Sequence, residues 1–250
     1  MDFVSQQHWD ESYLETEFSR PEPDNFLKRS LRKYIPSVRQ CSAMEVGCYP
    51  GGYLSVLGDL GYELNGIDLT PKTKQLPGHL AEAGYKVGSI TQADFMTFAT
   101  TEKYQVVTSF GFIEHFKNYR EVILKQAELV AEGGYLVISA PNFRGFFQQT
   151  FHRLFDTPNL RRHNLKSMNP EEWAAMLQGL GFEIVFSGYG GGALFWMNND
   201  NSRIQHFLGR CFLFTHKWMG RIFRLRYTTW NHSSLACDCL LVAKKSQSLV

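Results

Sequence analysis

The chain has 250 residues, enough for one large α/β domain or for a domain with sizeable insertions. Its 44% apolar and 20% charged residues are ordinary for a globular protein, and a net charge of +2 makes no global demand for nucleic acid. No apolar run is long enough to span a bilayer, and the opening MDFVSQQHWDESYL lacks the basic-then-apolar order of a signal peptide, so the expected location is the cytoplasm.

Residues 1–40 are mixed and aromatic, with a break at Pro21 and Pro23. A helix is expected from Asp24 to Tyr34, with Asp24 as N-cap and Pro36 ending it. A short apolar strand, Cys41 to Val46, runs into glycines, and a helix follows from Gly52 to Leu60. The second strand is Glu63 to Leu69. A helix over Lys74 to Ala83 leads to a third strand near Tyr85 to Gly88, or slightly later, before Asp94. Tyr104 to Phe110 is the fourth strand. Tyr119 to Ala131 has helical apolar spacing and is expected to stop at Gly133-Gly134. Tyr135 to Ala140 is the fifth strand, broken by Pro141. Asn169-Pro170-Glu171-Glu172 has a helix-start pattern, with Asn as cap, Pro first and acids in the first turn. Phe182 to Ser187 and Cys237 to Ala243 complete seven strands, and GYGGG over Gly188 to Gly192 reads as a flexible loop. Strands alternating with helices imply a mostly parallel sheet covered on both faces.

The five cysteines, an odd count without a regular framework, argue against a disulfide scaffold. Cys237 and Cys239 share one face of an alternating strand and read as buried packing. No C-x-x-C pair or His-rich cluster marks a zinc site, and no metal is expected.

The segment MEVGCYPGGYL after the first strand combines three features. Gly47, Gly51 and Gly52 let the backbone turn sharply and approach a ligand. The next helix presents free N–H groups. Asp68, at the end of the second strand and 21 residues after Gly47, is placed to accept hydrogen bonds from a ribose diol. The pattern is E-x-G-x-x-x-G, beginning at Glu45, and not the G-x-G-x-x-G of nicotinamide sites. A carboxylate at Glu45 suits a ligand that carries an ammonium group, as S-adenosylmethionine (SAM) does.

From residue 40 to 190 the chain resembles the class I SAM-dependent methyltransferases. EVGCYPG is similar to that family's first motif, GIDLT with Asp68 to its ribose-binding second, and ADF with Asp94 to its third. YQVVTSFGFIEHF and AEGGYLVISAPNF resemble its fourth and fifth strands. The resemblance implies a Rossmann-like seven-stranded fold, SAM as donor and S-adenosylhomocysteine as product. It implies donor binding by Glu45, Gly47, Gly51, Asp68 and Asp94, with Asp94 receiving the adenine amino group. Phe95 either flanks the adenine or fills the core. Trp9 and Tyr13 either reach the donor from the N-terminal segment or are packing aromatics. Tyr49 stands where many members have glycine.

Methyl transfer needs aligned reactants, and a hydroxyl acceptor also needs its proton removed. Glu114-His115 follows the fourth strand, at the sheet edge where ligands bind, and His115 is the first candidate for general base. The alternative is that it only organises the loop. His152 and His163 are further candidates. His163 lies beside Arg161 and Arg162, a pair that would clamp an anionic acceptor or simply be solvated. Members that act on base or glutamine amino groups carry an N-P-P-Y-like turn here, whereas this chain has SFGFIEH. Nucleic acid is therefore not expected. A hydroxyl on a small molecule or glycan is the expected acceptor, with an amine, a macromolecule, or donor binding without catalysis as alternatives.

Insertions at about 143–168 and 188–236, with the 1–40 segment, are expected to form an acceptor lid over a main domain of residues 41–250. Residues 201–237 hold six Lys or Arg and no acid. Arg203, Arg210, Lys217 and Arg224 recur every seven residues, near one helix face, while Ile204, Phe207, Leu208, Cys211, Trp218, Met219 and Ile222 fall largely on another. Such a helix over 203–226 packs its apolar face on the domain, lies in a membrane interface, or offers its charges to an acidic partner or phosphorylated acceptor. In the second case the acceptor could be a lipid-linked saccharide and the protein peripheral at the inner membrane face.

Overall fold

The computed structural model describes residues 3–38, 40–198, 200–223 and 230–247. Two N-terminal helices, α1 (Gln6–Ser12) and α2 (Phe26–Tyr34), precede the sheet. Its strands and their connecting helices follow as β1 (Ser42–Val46), α3 (Gly52–Asp59), β2 (Glu63–Asp68), α4 (Leu76–Glu82), β3 (Val87–Gln92), β4 (Tyr104–Phe110), α5 (Tyr119–Glu128) and β5 (Val130–Pro141). Then come α6 (Phe146–Phe155), α7 (Thr157–Arg161), α8 (Pro170–Gln178), β6 (Phe182–Gly190), α9 (Arg203–Ile222) and β7 (Asp238–Lys245).

The strand order is β3-β2-β1-β4-β5-β7-β6. The first five strands are parallel, and β7 runs antiparallel to both β5 and β6. The fold is thus the expected Rossmann-like α/β sheet, with a helical insertion between the sixth and seventh strands. Successive strand residues point to opposite faces, and helices cover both. Met44, Val107, Ile138 and Leu241 enter one apolar layer with Trp173 of α8. Their neighbours Ala43, Val106, Val137 and Leu240 enter the other, against Leu54 and Leu57 of α3. The order reverses between β1 and β4, which opens a crevice at their carboxyl ends.

Several boundaries differ from the sequence expectation. Asn25, not Asp24, caps α2, its side chain accepting from Lys28 N at 2.9 Å. A 3-10 turn at Pro71–Gln75 delays α4 to Leu76, and the third strand begins at Val87. Helix α5 stops at Glu128, because Val130 already pairs with Tyr104 in the sheet. The Gly133-Gly134 pair is therefore an irregularity inside β5 and not a helix stop; a Cβ on Gly134 would lie 2.8 Å from the Gln105 carbonyl. Of the GYGGG stretch, Gly188–Gly190 belong to β6, paired with Leu240, Cys239 and Asp238. Cys237 and Cys239 are buried and free. Arg224 and the rest of 224–226 lie outside the described residues. Among the described residues, no helix is long and apolar enough to cross a membrane.

Candidate active site

The crevice at the β1–β4 switch is a cleft of about 670 Å³. Its floor is the turn after β1. Gly47 has φ +74°, and a Cβ there would meet the Phe112 ring at 2.7 Å, so the position requires glycine on two counts. Gly51 (φ +92°) caps α3 in a left-handed conformation with the Leu76 side chain against it. It shapes the turn without lining the cleft. Asp68 ends β2 and lines the cleft, its carboxylate accepting from Tyr49 N at 3.0 Å and Thr70 N at 3.1 Å. Burial raises its pKa, and the backbone donors oppose that rise.

Asp94 and Phe95 line the same cleft from the turn after β3. Asp94 Oδ1 accepts from Met96 N at 2.9 Å. Phe95 serves the core as well as the cleft: it is buried, with its ring edge-on to Phe112 at 6.0 Å. Trp9 and Tyr13 close the opening from α1 and the residue after it, stacked on each other at 5.6 Å. Trp9 Nε1 is buried without a partner. Glu45 lies apart. It is buried at the end of β1, is not among the cleft-lining residues, and keeps Oε2 without a partner. Burial, with Asp68 nearby, pushes its carboxyl well above the usual range, while the Leu54 backbone N–H of α3 pulls the other way.

These features fit a nucleoside bearing a cationic chain. The cleft offers two carboxylates on adjacent strand ends, aromatic walls, an unsatisfied indole N–H and a glycine floor that admits close approach. Sequence reasoning missed three parts of it. Tyr49 lines the cleft and is tied to the N-terminal segment, its hydroxyl donating to the Thr16 carbonyl at 2.6 Å and its ring edge-on to Tyr13 at 5.0 Å. Phe112 and Gln6 complete the lining.

A second cleft, of about 730 Å³, opens from the first, and Trp9, Phe110, Gly111 and His115 line both. Leu27, Tyr53, Phe143 and Trp196 give it apolar walls, and Glu114, His163 and Asp238 give it polar ones. His115 Nδ1 lies 3.1 Å from the Arg162 carbonyl and His163 Nδ1 lies 2.6 Å from the Asn159 carbonyl. A carbonyl only accepts, so each ring is fixed with its proton on Nδ1 and its lone pair on Nε2. Burial, with His163 beside it, lowers His115 to about 3, and burial lowers His163 to about 4. Both rings are therefore neutral at neutral pH. Glu114 is pushed up to about 8 by burial, and its Oε2 has no partner. Asp238 is raised to about 6, mainly by burial.

Glu114, His115 and His163 each offer a ligand atom within 4.8 Å of the others, so the fold assembles a set able to hold a metal ion. Spacing along the chain could not reveal it, since His163 arrives from the insertion after β5. His152 is placed elsewhere: it is fully buried, pairs with Asp156 Oδ2 at 3.1 Å and lines neither cleft. Arg162 is ion-paired with Asp200 and so is not a free anion clamp.

Residues 13–186 match the family model described as a methyltransferase domain. A ubiquinone biosynthesis O-methyltransferase of Thiobacillus denitrificans is 30% identical over 101 residues, 40% of this chain and 44% of that protein. A protein of the same name from Azoarcus is 28% identical over 151 residues, 57% of this chain and 64% of that protein. The chain thus spans only about half the length of these curated relatives. Among solved structures, the N-methyltransferase NodS of Bradyrhizobium japonicum, in complex with S-adenosylhomocysteine, superposes with a TM-score of 0.58 at 14% identity, covering 95% of this chain and 97% of that one. With family match, sheet topology and motif order in agreement, the chain belongs to the methyltransferase domain family, in the class I SAM-dependent superfamily.

Proposed function

We propose that the protein transfers a methyl group from SAM to a hydroxyl of a small-molecule or glycan acceptor, lipid-linked acceptors included. The observation that carries this reading is the shared wall of the two clefts. His115 and Gly111 line both, so a donor held in the first would meet an acceptor held in the second beside an imidazole with a free Nε2. Bound SAM supplies an electrophilic methyl on a sulfonium centre. Asp68 would accept hydrogen bonds from the ribose diol, Asp94 would receive the adenine amino group, and Phe95 and Phe112 would flank the base. Trp9 and Tyr13 would cover the donor and exclude water.

On the acceptor side, Leu27, Tyr53, Phe143 and Trp196 suit a ring or chain with apolar surface. His115 Nε2 would take the proton of the acceptor hydroxyl, its orientation fixed by the Nδ1–H bond to the Arg162 carbonyl. The two relatives named as O-methyltransferases support oxygen over nitrogen as the accepting atom. The experiment is a screen of hydroxyl and amine acceptors for S-adenosylhomocysteine release. Turnover with a hydroxyl, lost in His115→Ala while SAM still binds, supports the reading. Turnover only with amines favours an amine acceptor, and SAM binding without any turnover favours a non-catalytic binding protein.

A second reading of the acceptor side rests on the Glu114, His115 and His163 set. Both rings bond a backbone carbonyl through Nδ1, the arrangement that orients metal-ligating imidazoles. A divalent cation there would lower the pKa of an acceptor hydroxyl in place of a histidine base. Chelator treatment separates the two: activity that survives it belongs to the base, and activity lost to it and restored by Mg²⁺, Mn²⁺ or Zn²⁺ belongs to the cation.

A further inference from the structure

Helix α9 turns its apolar stripe outward, one of the arrangements open from the sequence. At 3.6 residues per turn, Ile204, Phe207, Phe214, Trp218 and Ile222 fall within about 80° of arc. That arc faces solvent: Ile204 is 74% exposed, Phe207 66%, Phe214 67% and Trp218 56%. The opposite side holds the helix to the domain. Gly209 is buried there, where a Cβ would meet Met197 and Phe155, and Phe212 packs on Phe151 at 5.1 Å and Phe195 at 5.4 Å. The sequence option in which the apolar face packs on the domain is therefore not the arrangement adopted. Arg203, Arg210, Lys217 and Arg221 lie along one edge of the exposed stripe, and no acid occurs between residues 201 and 237. Leu154 of α6 is exposed beside the domain-facing side of the helix, its carbonyl accepting from Gln205 Nε2 at 3.2 Å.

We propose that α9 is a docking surface for an anionic lipid bilayer, lying in the plane of the interface with its apolar stripe among the acyl chains. Charge complementarity selects this occupant. A row of cations beside aromatic and aliphatic side chains matches a surface that is apolar inside and negative at its headgroups. A second copy of the chain packed antiparallel on this helix would bring the same cations to the same edge of the seam. The chain running into α9 carries Trp196 and Asn198, which line the second cleft, so docking would bring that cleft to the bilayer. The docking proposal stands on α9 alone and does not depend on the methyl-transfer reading.

The experiment is sedimentation of the full chain with vesicles of phosphatidylcholine, with and without phosphatidylglycerol, at low and high salt. Wild type should bind the anionic vesicles at least tenfold more tightly than the neutral ones and lose most of that preference at high salt. A Phe207→Ser/Phe214→Ser/Trp218→Ser variant and an Arg210→Glu/Lys217→Glu variant should each bind at least tenfold more weakly. All five positions are exposed, so far-UV circular dichroism and SAM affinity should match wild type; two independent variants keep the test usable if one misfolds. Absence of binding by the wild type, binding by both variants as tight as the wild type's, or a wild-type dimer in light scattering that either variant converts to monomer would overturn the proposal.

Discussion

The two clefts share Trp9, Phe110, Gly111 and His115 but are built from different material. The donor cleft is made by strand ends and backbone: a left-handed Gly47, an Asp68 held by two backbone N–H groups, an Asp94 in the next strand's turn. The acceptor cleft is made by side chains from separate insertions, with His163 and Phe143 from the segment after β5 and Trp196 and Asn198 from the segment after β6. A backbone site tolerates few changes and binds one chemistry. A side-chain site is free to vary, because nothing in the sheet depends on it. The motifs of the family resemblance therefore gather at the first cleft, and under the proposed function the choice of acceptor would fall to the second.

The largest expected effect separates the two sites chemically. His115→Ala should reduce turnover about 100-fold or more while SAM affinity in calorimetry stays within about twofold; unchanged turnover would remove the base from the account. Next, Gly47→Val should weaken SAM binding at least about tenfold, since the new side chain must displace the Phe112 ring and also adopt a left-handed φ. Asp68→Asn should weaken SAM by roughly 1.5–3 kcal/mol, about ten- to hundredfold, through loss of the charged acceptor, with little effect on the affinity for acceptor. Equal loss for donor and acceptor would mean that the clefts are not separate.

Buried groups of the second cleft also contribute to the pH dependence. Glu114 has a folded value near 8 against an ordinary 4.5, so the folded state holds a proton that the unfolded state has lost, and stability falls as pH rises from 4.5 through 8. His115 has a folded value near 3 against 6.5, so stability falls as pH drops from 6.5 towards 3. Thermal unfolding across pH should show both limbs, and Glu114→Gln should reduce the alkaline one, leaving the part due to Glu45 and Asp238. The smallest effect is expected at the N-terminal segment. Tyr49→Phe removes one hydrogen bond to the Thr16 carbonyl and should cost about 1 kcal/mol, with a severalfold rise in the SAM dissociation constant.

The donor side was readable in the sequence because its signals are local. Glycines at fixed spacing, an acid at a strand end and a strand-helix alternation each follow from neighbouring residues. Glu45 shows what local spacing leaves open: its carboxyl is buried between Asp68 and the Leu54 backbone of α3, with Oε2 left without a partner. Tyr49 was noticed only as a departure from glycine, since its bond to Thr16 joins segments 33 residues apart. Glu114, His115 and His163 were each candidates from the sequence, and an interfacial α9 was one option, but neither the meeting of the three within 4.8 Å nor the choice of which α9 face meets solvent was legible. Both depend on how insertions pack, and the heptad spacing of the α9 cations says nothing about which side of the helix meets the domain.

The most direct test of the central claim is a crystal structure of the protein soaked with S-adenosylhomocysteine. The nucleoside should lie in the cleft floored by Gly47, with the Asp68 carboxylate within hydrogen-bond distance of both ribose hydroxyls and the sulfur facing the His115 wall. A nucleoside bound elsewhere, or an empty cleft at saturating ligand, would contradict the account.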